Sequence, residues 1–406
     1  MADLVADLDL PEIDLADAGL AGDAYHERLA AAREQGWLLR SPIAYLVLDR
    51  DAGEFFLRSR QTAFPGPQIA GLFGVSGGRL AEQIEANILN LTGERHRRLR
   101  GLVASAFTPR AAQRWRPAMR AIAGELWAEL AGATEREFVS WFAAPFTART
   151  IAEVIGAPQA DAGALAHWSG LVQQQFDIRA LARGTEPIER ATGELYDYVG
   201  RLLDARRRAP AADLISALLR AEAEGDRLSA AECVNLVLNV LAGGVDTTTA
   251  QLAHAMRLFA AHPGQWTALR ERPGLVTRAV DEVLRFEPIT PFTARICTER
   301  IEYRGVTFPA GTIVAICAER ANREPPGGEV FDITAERGGD RALTFGAGPH
   351  FCLGQNLARA ELAEALAFLA PAMPGLRLAG TERLGGVEGI YGVESLPLAW
   401  SPQRPS

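Results

Sequence analysis

From Ser229 to Ala261 the chain carries no proline and consists mainly of apolar and small residues. Ser229 followed three residues later by Glu232 has the pattern of a capping box, which starts a helix by satisfying two of its free N–H groups. At about 1.5 Å per residue the segment predicts a helix of roughly 50 Å. An element of that length crosses a whole domain, so the rest of the chain must fold around it. Gly243 and Gly244 lie side by side in its middle, each costing roughly 1 kcal/mol relative to alanine. Such a pair serves either close helix packing or the approach of a flat group with a local opening of the helix. The Thr247 hydroxyl, four residues on, is placed to bond the Gly243 carbonyl.

Helical periodicity dominates the flanking sequence, with segments expected near 23–34, through Phe55 and Phe56, and from Glu94 onward. Thr108-Pro109 reads as an N-cap followed by a first-turn proline, and further helices are expected near 138–155, 164–175, 188–207 and 212–222. Strand-like stretches are fewer: a hairpin over 37–40 and 44–48, then 292–303, 312–316 and 391–398. The fold class is therefore mainly α with a minor β lobe. At 406 residues, with no Pro/Gly/Ser linker or internal repeat, residues 1–406 are read as a single domain. Residues 1–20 are expected to be loosely ordered.

A net charge of −8 argues against nucleic acid as a partner. All 42 basic residues are arginine. The acidic N-terminus has no apolar core of a signal peptide, and no run approaches the ~20 apolar residues that span a bilayer. A soluble, cytoplasmic protein is expected. Cys233, Cys297, Cys317 and Cys352 form no C-x-x-C pair and no zinc spacing, which suits reduced thiols.

One of those cysteines has a special setting. Residues 345–354 read Phe-Gly-Ala-Gly-Pro-His-Phe-Cys-Leu-Gly, a tight turn just before an apolar helical segment. Glycines let amide N–H groups approach a thiolate, and a helix N-terminus favours the anion. Taken alone, a cysteine in a glycine-rich turn is more often a buried or incidental thiol. With Phe345, Gly346, Gly348, His350, Cys352 and Gly354 in register, the decapeptide resembles the haem-binding signature of the cytochrome P450 family. A weaker likeness runs from about residue 36 to 398.

The resemblance implies the P450 fold, with the long central helix crossing over a buried haem b (iron protoporphyrin IX) whose iron is held by Cys352. Asp246 and Thr247, in Gly-Gly-Val-Asp-Thr-Thr, fall on the family's proton-delivery pair. His96 and Arg100, spaced to share a helix face that is otherwise simply solvated, match a His-x-x-x-Arg element; with Arg295 and His350 they are expected to bind the haem propionates. Glu282 and Arg285 match the Glu-x-x-Arg ion pair that locks the cysteine loop. The segment that supplies its third partner departs from the family pattern, being short and carrying Val330 where a basic or polar residue is usual. Arg337, Arg341 or backbone carbonyls are left to close the pair.

By family position the substrate pocket is expected to be lined by parts of 64–91, 168–183, 238–247, 289–293 and 389–391, with Leu238, Gly243, Ile289, Phe292 and Ile390 as its principal residues. Leu72 and Phe73 add to its apolar character, and Gln173, Gln174 and Arg179 fit either a substrate's polar end or a solvated face. The implied activity is that of a monooxygenase acting with O2 on a hydrophobic small molecule, by hydroxylation or epoxidation. No G-x-G-x-x-G follows a strand, so electrons are expected from NAD(P)H through a separate ferredoxin-type partner and its reductase, docking near Arg97, Arg98 and Arg359. The alternatives are a peroxide-driven peroxygenase and a non-enzymatic haem protein that binds a ligand.

Overall fold

The computed structural model describes residues 2–17, 19–223, 228–337 and 341–402. Its axis is the helix Ala230–Ala261, started by the expected capping box: the Ser229 hydroxyl accepts from the Glu232 N–H at 3.2 Å, and the Glu232 carboxylate accepts from the Ser229 N–H at 2.9 Å. The helix is buried on most sides, with Leu236, Val237, Leu241, Leu252, Met256 and Phe259 almost inaccessible. It packs against the helices Ala144–Ile155 and Ala162–Gln173 on one side and Gln355–Ala372 on another. Gly243 and Gly244 do not open it: the helix is unbroken through both. Gly244 packs closely, since a Cβ there would lie 3.0 Å from Ile151, whereas a Cβ at Gly243 would meet nothing within 4 Å. One glycine serves helix packing and the other faces open space.

The expected helices are present, including Pro109–Gln113, where the Thr108 hydroxyl accepts from the Ala111 N–H at 3.2 Å. Sheet is a minority. The largest sheet has five strands in the order Leu38–Arg40, Tyr45–Val47, Ile313–Cys317, Phe292–Cys297, Thr62–Ala63. Its central strand Ile313–Cys317 is almost wholly buried and pairs parallel to one neighbour and antiparallel to the other. The strand expected over 292–303 is instead two strands in different sheets. Ile301–Tyr303 turns back on Val306–Phe308 through Arg304 and Gly305, both at positive φ (50° and 77°), the conformation a tight hairpin requires. The 391–398 stretch likewise divides into Val393–Ser395 and Pro397–Ala399.

The N-terminal segment differs from the loose order expected of it. Asp3 and Leu4 pair in parallel with Val306 and Thr307, Ile13 and Arg40 bond across the backbone, and Val5, Ile13 and Leu20 are buried. Apolar residues spaced through an otherwise acidic stretch anchor it to the hairpin and the first helix, Gly22–Gln35.

Candidate active site

The cysteine loop is shaped by its glycines. Gly346 and Gly348 both adopt φ of 70°, a region that suits glycine. A Cβ on Gly348 would also lie 2.7 Å from the Leu57 carbonyl oxygen. Within the turn the Cys352 N–H donates to the Phe345 carbonyl at 2.9 Å, and Gly354 directly precedes the helix Gln355–Ala372. Burial pushes the Cys352 thiol up, while the N–H groups of Gly354 and Gln355 and the charge of Arg100 pull it back. The loop thus directs amide donors at the sulfur, as a thiolate ligand requires.

His96 and Arg100 lie one turn apart on the helix Gly93–Ala104. The His96 ring is 4.3 Å from that of His350, centroid to centroid, and Arg100 Nη2 donates to the Phe351 carbonyl. Arg295, on Phe292–Cys297, is 4% exposed, and its guanidinium donates to the Ala294 carbonyl. Among the described residues none of these four basic groups meets a carboxylate. The consequence appears in their acidities. Burial and the neighbouring His96, Arg295 and Arg100 push His350 down to about 3, and burial lowers Arg295 to about 10. Buried positive charge without a counter-ion is costly. A cluster of this kind beside a thiolate loop fits a ligand that brings two carboxylates and a metal.

Asp246 and Thr247 lie on the long helix. Thr247 Oγ1 donates to the Gly243 carbonyl at 2.6 Å, the bond expected from their spacing. Asp246 is largely enclosed near Gly170 of the helix Ala162–Gln173, and among the described residues its buried Oδ2 has no hydrogen-bond partner. Burial raises its carboxyl to about 6. Leu238, expected on the pocket wall, is fully buried in the helical core instead. The open face of the helix is the stripe of Gly243 and Thr247, and Leu238 is out of phase with it.

Glu282 and Arg285 form a bidentate pair, with Nε and Nη2 each 2.8 Å from a carboxylate oxygen. Both of the expected ways of closing the pair occur together. Arg337 Nη2 reaches Glu282 Oε1 at 2.7 Å, and Arg285 donates to the carbonyls of Asn322, Gly328 and Val330. Arg341 instead stacks over Phe351. Val330 is 59% exposed and contributes through its backbone alone, so its side chain is free to depart from the family pattern.

Ile289 and Ile390 belong to segments joined by a bond from the Tyr391 N–H to the Ile289 carbonyl at 2.8 Å, and Phe292 begins the adjoining strand. Arg179 is tied to Glu388 and Leu72 is 74% exposed, so Arg179 already holds a carboxylate and Leu72 lies at the surface. Sequence reading missed a buried polar cluster of His26, Glu287, Glu319, Arg320 and Arg323. Glu319, Arg320 and Arg323 are neighbours on one short helix, but His26 lies hundreds of residues from Glu287 and Glu319, and no spacing rule connects it to them.

The family model for cytochrome P450 matches residues 188–369. The chain is 35% identical to luteothin monooxygenase of Streptomyces thioluteus over 96% of each chain. It is 36% identical to the mycinamicin IV hydroxylase/epoxidase of Micromonospora griseorubida over 79% of this chain and 81% of that one. Among solved structures it superposes on CalO2 with a TM-score of 0.88 at 30% identity, covering 97% of this chain and all of that one. On P450BioI in complex with acyl-loaded acyl carrier protein the TM-score is 0.84 at 29% identity, covering 93% and 98%. The fold and the thiolate loop define a haem-thiolate oxygenase, and the chain belongs to the cytochrome P450 family. It is a monooxygenase whose cofactor is haem b, and the basic cluster and Cys352 fit that group. Among the described residues no helix is long and apolar enough to cross a membrane.

Proposed function

We propose that this enzyme hydroxylates or epoxidises a bulky, largely apolar natural product in the cytoplasm. Electrons come from NAD(P)H through a separate ferredoxin-type protein and its reductase. Bound haem b supplies the iron at which dioxygen is reduced. Cys352 would hold that iron, with the N–H groups of Gly354 and Gln355 limiting the basicity of its sulfur, and His96, Arg100, Arg295 and His350 would bind the two propionates. Glu282, Arg285 and Arg337 hold the segment leading into the loop.

The observation that carries the reading is Asp246. A carboxyl poised at about 6, with Oδ2 unpartnered and the Thr247 hydroxyl adjacent in the chain, is suited both to take and to give a proton near neutral pH. Thr247 Oγ1 already donates to a carbonyl, which leaves its lone pairs to accept a proton-bearing partner. Dioxygen cleavage consumes two protons and peroxide use needs neither, so this pair favours the O2-dependent reaction. The apolar character of Ile289, Phe292 and Ile390 supports a hydrophobic substrate, and the relatives named for luteothin and mycinamicin IV support the natural-product class.

The test is turnover of macrolide aglycones by the holoenzyme with a surrogate ferredoxin and reductase, following NADPH, product and hydrogen peroxide. Product dependent on NADPH and O2 supports the reading. Equal turnover with hydrogen peroxide alone refutes it.

A further inference from the structure

The first helix, Gly22–Gln35, carries a side chain that the chemistry above does not use. His26 Nε2 lies 3.1 Å from Glu287 Oε2, and His26 Nδ1 lies 3.1 Å from Glu319 Oε1. The imidazole is 14% exposed and each carboxylate 1%. An ionised carboxylate only accepts, so a ring that meets one at each nitrogen donates twice and is an imidazolium. The surrounding charges are Arg320 and Arg323 on Glu319, Arg257 3.7 Å from Glu287, Glu329 on both Arg320 and Arg323, and Glu382 on Arg257. Tyr25, His254, Tyr391 and Cys317 are the other titratable neighbours.

This cluster stands behind the two segments that carry Ile289 and Ile390. Glu287 is followed directly by Pro288 and Ile289, and its carbonyl accepts from Gln251 Nε2 at 2.9 Å. Tyr391, next to Ile390, donates its N–H to the Ile289 carbonyl, and its own carbonyl is 3.0 Å from His254 Nε2. Its hydroxyl accepts from the N–H of Gly22 at 2.7 Å. Gly22 and His26 are one turn apart, so the same helix grips both segments, through Tyr391 and through Glu287.

We propose that His26 is a positioning residue for the substrate: by bridging Glu287 and Glu319 it fixes the first helix against the Ile289 segment, while Gly22 of the same helix holds Tyr391 beside Ile390, and the His26 charge tunes how tightly the pocket closes on a bulky ligand. The inference rests on the reading of Ile289 and Ile390 as pocket wall. Burial alone lowers the His26 pKa, but its bonds and charge contacts with Glu287 and Glu319 outweigh that, and the net direction is upward from 6.5. A raised histidine contributes fully below about 6.5, and that contribution is lost as pH rises through the folded-state value. Its loss leaves two buried carboxylates without their bridge.

The experiment is a Soret titration of the ferric holoenzyme with two neutral probes between about pH 6 and about pH 9, the range in which a histidine changes charge. Tebuconazole reaches the iron and carries an aryl body that fills the pocket. The much smaller 1-methyl-1,2,4-triazole reaches the iron alone and controls for titration at the iron. The tebuconazole Kd is expected to rise about fivefold with pH, the low end of typical coupling, while that of the small triazole stays flat. His26→Lys, which keeps its charge throughout, should remove the pH dependence and keep the tight binding. His26→Ala should bind tebuconazole weakly at every pH. A flat wild-type profile for tebuconazole, or an Ala variant as tight as wild type at about pH 6, overturns the proposal. Ile289→Ala separates the two layers of inference. If it weakens tebuconazole while His26→Ala does not, the wall stands and the role of His26 falls. If Ile289→Ala changes nothing, the wall assignment fails and takes the proposal with it.

Discussion

Arg337 closes onto Glu282, with Nη2 2.7 Å from Oε1 and Nε 3.2 Å from Oε2. The carboxylate therefore serves two guanidiniums, and the Asp332 N–H adds a third donor at 2.9 Å. Burial pushes the Glu282 carboxyl up, but Arg285, Arg337 and Asp332 outweigh it and hold the group below its usual value. A depressed carboxylate contributes stability above about pH 4.5 that is lost as pH falls through the folded value.

Glu282→Gln should accordingly destabilise the protein by about 3–5 kcal/mol, because two guanidiniums lose their shared counter-charge. Arg337→Gln should cost about 1–2 kcal/mol, since Arg337 is partly exposed and Arg285 still neutralises the acid. Urea unfolding followed by tryptophan fluorescence and by the Soret band measures both. An Arg337→Gln loss as large as that of Glu282→Gln would show that the pair depends on Arg337 rather than on the backbone carbonyls.

Most of this was legible in the sequence where chemistry depends on short spacing. The capping box at Ser229 and Glu232, the Thr247 bond to Gly243, the turn around Cys352 and the Glu282–Arg285 pair are all contacts within a few residues, and the pattern contains them. What was not legible depends on long-range packing. Leu238 differs from Gly243 only in helical phase, and a run that is apolar on most faces hides its phase. Arg337 and Arg341 are equivalent until the chain between them and the cysteine is folded. The join of His26 to Glu287 spans 261 residues, and the pairing of Asp3 and Leu4 with Val306 and Thr307 joins segments roughly as far apart.

The basic cluster of His96, Arg100, Arg295 and His350 makes a second prediction. Without an anion, burial disfavours the Arg295 charge, and burial together with His96, Arg295 and Arg100 disfavours that of His350; a bound anion offsets both. Arg295→Leu should therefore release haem about ten- to a hundredfold faster, the equivalent of one charge-assisted hydrogen bond of roughly 1.5–3 kcal/mol. The same change should leave the apoprotein as stable as wild type or more so, because an isolated buried charge is gone. Haem transfer to apomyoglobin and thermal melting of the apoprotein provide the two readouts, and a variant that loses both would point to packing instead.

Asp246 links activity and stability with opposite signs. An acid raised from 3.8 to about 6 by burial favours the folded state while protonated, and that advantage is lost as pH rises from about 4 through about 6. At neutral pH the ionised carboxylate costs about 2–3 kcal/mol. Asp246→Asn should recover part of that in thermal melts at pH 7, while slowing proton-dependent turnover about 100-fold. Thr247→Ala should keep NADPH consumption closer to wild type and divert it to hydrogen peroxide. Asn and Ala variants that both remain fully coupled would remove this pair from proton delivery.

Electron transfer distinguishes three arginines that sequence position treats alike. Arg98 is paired with Glu232 and Arg359 with Asp281, whereas Arg97 is exposed on the same helix as His96 and Arg100. Reversal at Arg98 or Arg359 disturbs an internal ion pair as well as the surface, so a slower rate there has two causes. Arg97→Glu changes the surface charge and leaves both of those pairs intact. If an acidic ferredoxin docks at this face, Arg97→Glu should slow reduction about tenfold at low salt, with the difference shrinking as ionic strength rises, because rim charges act mainly through the association rate. Stopped-flow reduction under carbon monoxide reads this directly. A rate that does not change at low salt would move the docking site away from this helix.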